Sequence, residues 1–138
     1  MPRPQNMFLY GTLMDPDTLA RALRRPVDVT ALARVRLDDH RRGYIVGRDF
    51  PGLKAEAGHA TEGLLLAGVT VRDVMHLNVY EGPHYQLVPV TVIDPAKDEA
   101  PIDAHTYVVK PGLKIGPAWD LEGWQQHHKP AYMSRWFA

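Results

Sequence analysis

At 138 residues, with 45% apolar and 23% charged side chains, the chain has the composition of an ordinary globular protein and a length that predicts one domain over residues 1–138. Sixteen basic side chains balance sixteen acidic ones, which leaves no overall field to draw it to nucleic acid or a membrane surface. The absence of cysteine excludes disulfides, thiol nucleophiles and thiolate metal sites, and fits a cytoplasmic setting.

Residues 1–6 are polar, with two prolines, and no signal-type apolar segment follows. The run from Met7 to Leu13 predicts a buried strand that enters a turn at Gly11. Asp15-Pro16 then reads as an N-cap and first helical residue, with Leu19, Ala22 and Leu23 at helical spacing and Pro26 as the stop. Ala33–Leu37 alternates apolar and basic residues as a half-exposed strand does, and Arg42–Gly47 reads as a second strand before a turn at Asp49-Phe50-Pro51-Gly52. The pairs Arg24-Arg25 and Arg41-Arg42 read as solvated surface.

Thr61–Val69 is a further strand candidate, and its apolar core from Leu64 falls far short of a membrane span. Thr70 and Asp73 have the spacing of a capping box, opening a helix whose stripe of Val71, Val74, Met75 and Val79 is expected to face the core. Gly82-Pro83 ends that helix. Gln86–Ile93 alternates as a strand, with Pro89 marking an edge or a bulge. After a polar turn, Thr106–Val109 is the last strand, and the aromatic tail from Pro117 predicts helices packed back on the body. Strands with interspersed short helices and no regular βα alternation predict an α+β fold, a small mixed sheet closed as a barrel.

Two segments carry the chemistry. In the first, Tyr10-Gly11-Thr12-Leu13, a strand-to-helix turn offers N–H groups, close backbone approach and a hydroxyl to a ligand, although a tight turn with no ligand has the same pattern. In the second, Glu81 stands between Tyr80 and Gly82-Pro83, with Tyr85 four residues on. Aromatic neighbours lower the local dielectric and lift a carboxyl towards neutral pH, which suits a general acid/base, whereas an ordinary helix-end carboxylate is the plain reading. The other four glutamates, Glu56, Glu62, Glu99 and Glu122, sit in polar, turn-like or tail surroundings. The seven histidines lack metal-ligand spacing, and the single serine, Ser134, lacks a nucleophile-elbow setting.

Phe8-Leu9-Tyr10-Gly11-Thr12-Leu13 resembles the Y-G-T-L segment of the gamma-glutamylcyclotransferase-like superfamily, and Tyr80-Glu81-Gly82 with Tyr85 resembles its acidic motif. Gly43-Tyr44, Phe50-Pro51-Gly52 and Trp119–Trp124 follow the order of AIG2-like members, so the resemblance runs from Met7 to about Tyr132. One departure is Leu87, where many members carry Arg two residues after the motif tyrosine. The resemblance implies a barrel-like fold with a pocket and a small-molecule γ-glutamyl substrate. It implies that Tyr10, Gly11, Thr12, Leu13 and Tyr85 bind that substrate, that Glu81 is catalytic, and that no metal or cofactor takes part. The reaction it implies is intramolecular attack by the α-amine on the γ-carbonyl, giving 5-oxoproline and a free amine. A non-catalytic metabolite-binding or regulatory protein of the same fold is the alternative, and an intact Glu81 favours the enzyme. The motifs leave open which amine departs.

Overall fold

The computed structural model describes residues 4–137. Five strands, β1 (Asn6–Leu9), β2 (Ala33–Tyr44), β3 (Pro51–Ala67), β4 (Tyr85–Asp94) and β5 (Ala100–Val109), close a barrel in the order β1-β3-β2-β4-β5. Four helices pack around it: α1 (Pro16–Leu23), α2 (Val71–Glu81), α3 (Leu121–His127) and α4 (Lys129–Phe137). The strand pairs are antiparallel except β1 with β5, which is parallel. The α+β, barrel-like expectation therefore holds.

Alternation along β1 divides the interior. Phe8 and Tyr10 turn into the barrel against Val35, Leu37, Leu53 and Val92. Met7 and Leu9 face outward and meet Leu19 and Leu23 of α1 and Leu77 of α2. A third cluster joins Ile45, Phe50 and Val109 to the tail through Trp119, Trp124 and Tyr132.

The barrel consists of two broad ladders joined by two narrow seams. β2 and β3 pair along most of their length, and β4 pairs with β5 from Tyr85 to Asp94. By contrast β2 meets β4 at one residue pair, Arg36 with Ile93, and β1 meets β5 at Met7 with His105. Side chains reinforce the second seam: Asn6 Nδ2 donates to Asp103 O (3.0 Å), Thr106 Oγ1 to Phe8 O (2.9 Å) and the Tyr10 hydroxyl to Tyr107 O (2.7 Å). Pro89 lies in the part of β4 that is paired only with β5, in keeping with its edge character.

Several local expectations need correction. β1 ends at Leu9, because Thr12–Met14 tightens into a 3-10 turn instead of extending the strand to Leu13. The two strands expected around residue 40 are one, β2, with a register shift between Asp38 and His40 where Asp39 adopts a left-handed φ of 57°. β3 begins at Pro51, well before Thr61. α1 stops at Leu23, ahead of Pro26, because Arg24 turns left-handed at φ 60°. Arg25 then forms a two-pronged pair with Asp73, so it is not simply solvated (3.1 and 2.9 Å). The largest correction concerns α2: Val71, Met75 and Val79 are exposed, and the buried residues of that helix are Asp73 and Leu77. The capping box of Thr70 and Asp73 is present in both directions.

The tail does fold back as helices. Asp15 is the joint. It caps α1 through Thr18 N (3.0 Å) and accepts from Gln125 Nε2 of α3 (2.8 Å) and Lys129 Nζ of α4 (2.9 Å). Burial would raise its pKa, but the hydrogen bonds from Lys129, Gln125 and Thr18 prevail and hold it below the usual carboxylate range.

Candidate active site

A cavity of about 220 Å³ opens where the end of β1, the end of α2, the start of β3 and helix α4 converge. It brings together every residue singled out from the two motifs: Tyr10, Gly11, Thr12, Leu13, Glu81 and Tyr85 all line it.

One wall is the turn after β1. Gly11 has no room for a side chain, since a Cβ there would meet Pro51 Cγ at 2.8 Å. The chain then closes the 3-10 turn with Met14 N on Gly11 O (2.9 Å) and Asp15 N on Thr12 O (3.0 Å). The first N–H groups of such a turn have no partner within it, so those at its head are available to an acceptor. Arg42 fixes the turn from outside, its Nη1 donating to Tyr10 O (2.9 Å) and Glu62 O (3.0 Å) while its guanidinium lies 5.4 Å from the Trp119 ring. This half-buried position also corrects the solvated reading of Arg41-Arg42.

Glu81 is the last residue of α2. Gly82, at φ 73°, turns the chain out of the helix, and Pro83 starts a short 3-10 turn that leads into β4. The carboxylate makes no hydrogen bond or ion pair among the described residues. Burial, with no cation to offset it, pushes its pKa up from 4.5 to about 8. An unpaired carboxylate with its pKa raised by burial, facing a cavity, is an arrangement that a general acid/base requires.

Phenols surround it. Thr12 Oγ1 and the Tyr80 hydroxyl are 2.6 Å apart, and the Tyr80 hydroxyl bonds in turn to that of Tyr132 on α4. The Tyr85 hydroxyl donates to Pro51 O (2.6 Å) and that of Tyr107 to Asn78 Oδ1 (2.5 Å). Burial, reinforced by the Glu81 charge, raises the pKa of Tyr10, Tyr85 and Tyr107, so these groups stay neutral. Tyr85 is accordingly both a lining residue and a clamp on the start of β3.

Sequence reasoning did not single out Tyr80, Tyr107, Tyr132 or Trp136, all of which line the cavity. The sequence marks Tyr80 as an aromatic neighbour of Glu81 within the acidic motif but carries no sign of its hydroxyl's bonds to Thr12 and Tyr132. Tyr132 and Trp136 reach the site only through the fold-back of α4, for which the clustering of aromatics in the tail was the available signal. Among the described residues no cluster of histidine, aspartate and glutamate is arranged to hold a metal ion, and no helix is long and apolar enough to cross a membrane.

Known proteins place this geometry in a family. Residues 7–131 match the family model described as gamma-glutamyl cyclotransferase, AIG2-like. Protein AIG2 C of Arabidopsis thaliana is 24% identical over 133 residues, covering 96% of this chain and 79% of that protein. AIG2-like protein D of the same plant is 27% identical over 130 residues, covering 93% and 84%. A solution structure of an Arabidopsis thaliana protein superposes with a TM-score of 0.72 at 24% identity, covering 97% of this chain and 89% of that one. A structure titled gamma-glutamyl cyclotransferase gives a TM-score of 0.57 at 14% identity, covering 82% and 70%, a likeness of fold. With nine-tenths of its length inside the family model, the chain belongs to the AIG2-like gamma-glutamyl cyclotransferase family.

Proposed function

We propose that the protein is a gamma-glutamylcyclotransferase that uses Glu81 as its proton shuttle. The observation that carries this reading is an unpaired carboxylate, with its pKa raised to about 8, in one cavity with the Tyr10–Leu13 turn. A peptide α-ammonium titrates at about 8 and one beside a free carboxylate somewhat higher, so a carboxyl raised to about 8 brings the proton transfer far closer to balance than an ordinary one. A carboxyl at its ordinary 4.5 would make the same transfer uphill by about 5 kcal/mol.

In this reading the N–H groups at the head of the 3-10 turn receive the substrate α-carboxylate or the developing oxyanion. Glu81 takes a proton from the α-ammonium, and the freed amine attacks the γ-carbonyl carbon. The carbon–nitrogen bond to the leaving amine then breaks. The lactam nitrogen keeps one of the three ammonium protons, and the other two end on the leaving nitrogen, one of them delivered by Glu81. Holding the glutamyl chain folded supplies the proximity that five-membered ring closure needs, so the proposed sequence uses no covalent nucleophile.

The test is release of 5-oxoproline from γ-glutamyl amides. Glu81→Gln keeps the shape of the side chain and removes the base, so turnover is expected to fall by at least about 10²-fold. Unchanged turnover in that variant would overturn the role of Glu81. A wild-type protein that binds 5-oxoproline yet releases none from any amide would instead be a binding protein.

A further inference from the structure

We infer that the mouth of the cavity is a subsite for a bulky leaving group of arylalkyl type with no charge beside its nitrogen, selected by Phe50, Val79 and Trp136. This rests on the cyclotransferase reading above and specifies the half of the substrate that the motifs leave open.

The argument begins with depth. The turn that would hold the glutamyl half is buried, with Thr12 6% and Leu13 4% exposed. Val79 and Trp136 line the same cavity and are 76% and 50% exposed, so they form its open end. The cavity, at about 220 Å³, is below the roughly 300 Å³ at which pockets enclosing a whole drug-sized ligand begin. A substrate anchored at the turn must therefore project its leaving amine past these side chains towards solvent.

Charge narrows the choice. Among the described residues no lysine or arginine lines the cavity itself, whose titratable groups apart from the phenols are Glu81 and His84, while Arg21 and Arg24 line the groove that adjoins it beyond Val79 and Trp136. An amine bearing a carboxylate beside its nitrogen would place a second anion near Glu81 in a low dielectric with no cation to meet it. The N–H groups of the turn are already committed to the glutamyl half. An amine bearing a second ammonium would compete with the substrate's own α-ammonium for the one carboxylate.

The surface at the mouth suits the remaining class. Trp136 stands edge-on to Phe50 at 6.3 Å and tilted against Tyr132 at 6.0 Å, which holds its ring in place before any ligand arrives. The neighbouring Arg135 is paired with Asp49 (2.7 Å), and its guanidinium lies over one side of the Trp136 ring, 5.9 Å from the centroid. An aryl group laid across Val79 and Trp136 would remove two exposed apolar side chains from water.

The experiment compares kcat/KM for 5-oxoproline release from γ-glutamyl-phenethylamide, γ-glutamyl-methylamide and γ-glutamyl-alanine. The phenethylamide is expected to lead both others by about tenfold or more. Trp136→Ala should reduce that lead to within about threefold, and Val79→Thr, at an exposed position that folding does not depend on, should reduce it in the same direction. γ-Glutamyl-alanine or the methylamide matching the phenethylamide would overturn the subsite and leave the cyclotransferase reading standing. A lead that survives both substitutions would also overturn it. Release of no 5-oxoproline from any of the three would overturn that reading, and the subsite with it.

Discussion

Glu81 carries an energetic cost that can be read independently of its chemistry. Its pKa is higher in the folded protein than the ordinary 4.5, so folding binds its proton more tightly than the unfolded chain does. That contribution is fully favourable below pH 4.5 and is lost as pH rises through about 8, where the buried group must ionise. Glu81→Gln is therefore expected to raise stability by roughly 2–4 kcal/mol at pH 9 and to change it little at pH 4. Denaturant unfolding at the two pH values checks this, and equal effects at both would mean that the carboxyl is not desolvated. In the proposed reaction the same shift would set the acid limb: kcat/KM should climb as pH approaches 8, where an ordinary glutamate would give a flat profile from pH 6. Glu81 was legible in the sequence because its surroundings are local, with Tyr80, Gly82 and Tyr85 within four residues. The Thr12–Tyr80–Tyr132 chain of hydroxyls was not, since it joins residues up to 120 positions apart.

Helix α2 shows at the element scale why a periodic pattern identifies a helix but not its buried face. Its bounds and capping box follow the sequence closely, yet Val71, Met75 and Val79 point outward. What decides the orientation is tertiary. Arg25, held at the left-handed end of α1, takes Asp73 in a two-pronged pair, and Leu77 is drawn under it into the cluster with Leu19 and Leu23. Asp73 is buried and Arg25 half-exposed, so the pair lies on the same inner face as Leu77 and Val74, the one member of the stripe that packs against the core. Leu77→Ala is accordingly expected to cost about 2–5 kcal/mol, whereas Val71→Thr or Met75→Gln should stay within about 0.5 kcal/mol. Chemical denaturation of the three variants separates the two faces, and a large loss at Val71 or Met75 would restore the stripe to the core.

The whole molecule is held unevenly. The β2/β3 and β4/β5 ladders are long, while the β1/β5 and β2/β4 seams each rest on one backbone pair. Amide exchange should therefore be slowest in the middle of the two ladders and faster at Met7, His105, Arg36 and Ile93. Uniform protection around the barrel would show that side-chain bonds such as Thr106 to Phe8 make up the difference. Barrel closure was predictable as a class from the number of strands and the lack of βα alternation. The seams were not, because pairing between positions 7 and 105 leaves no mark in either segment.

The convergence of the β1 turn, the end of α2 and the face of α4 means that no contiguous stretch of this chain contains the cavity. Its walls are contributed near residues 10, 50, 81 and 107 and from residue 132 onward, so a growing chain carries no finished site until α4 has folded back onto Asp15. The lysine on that carboxylate is in effect a lock turned last, for until it engages the cavity lacks the wall that Tyr132 and Trp136 supply.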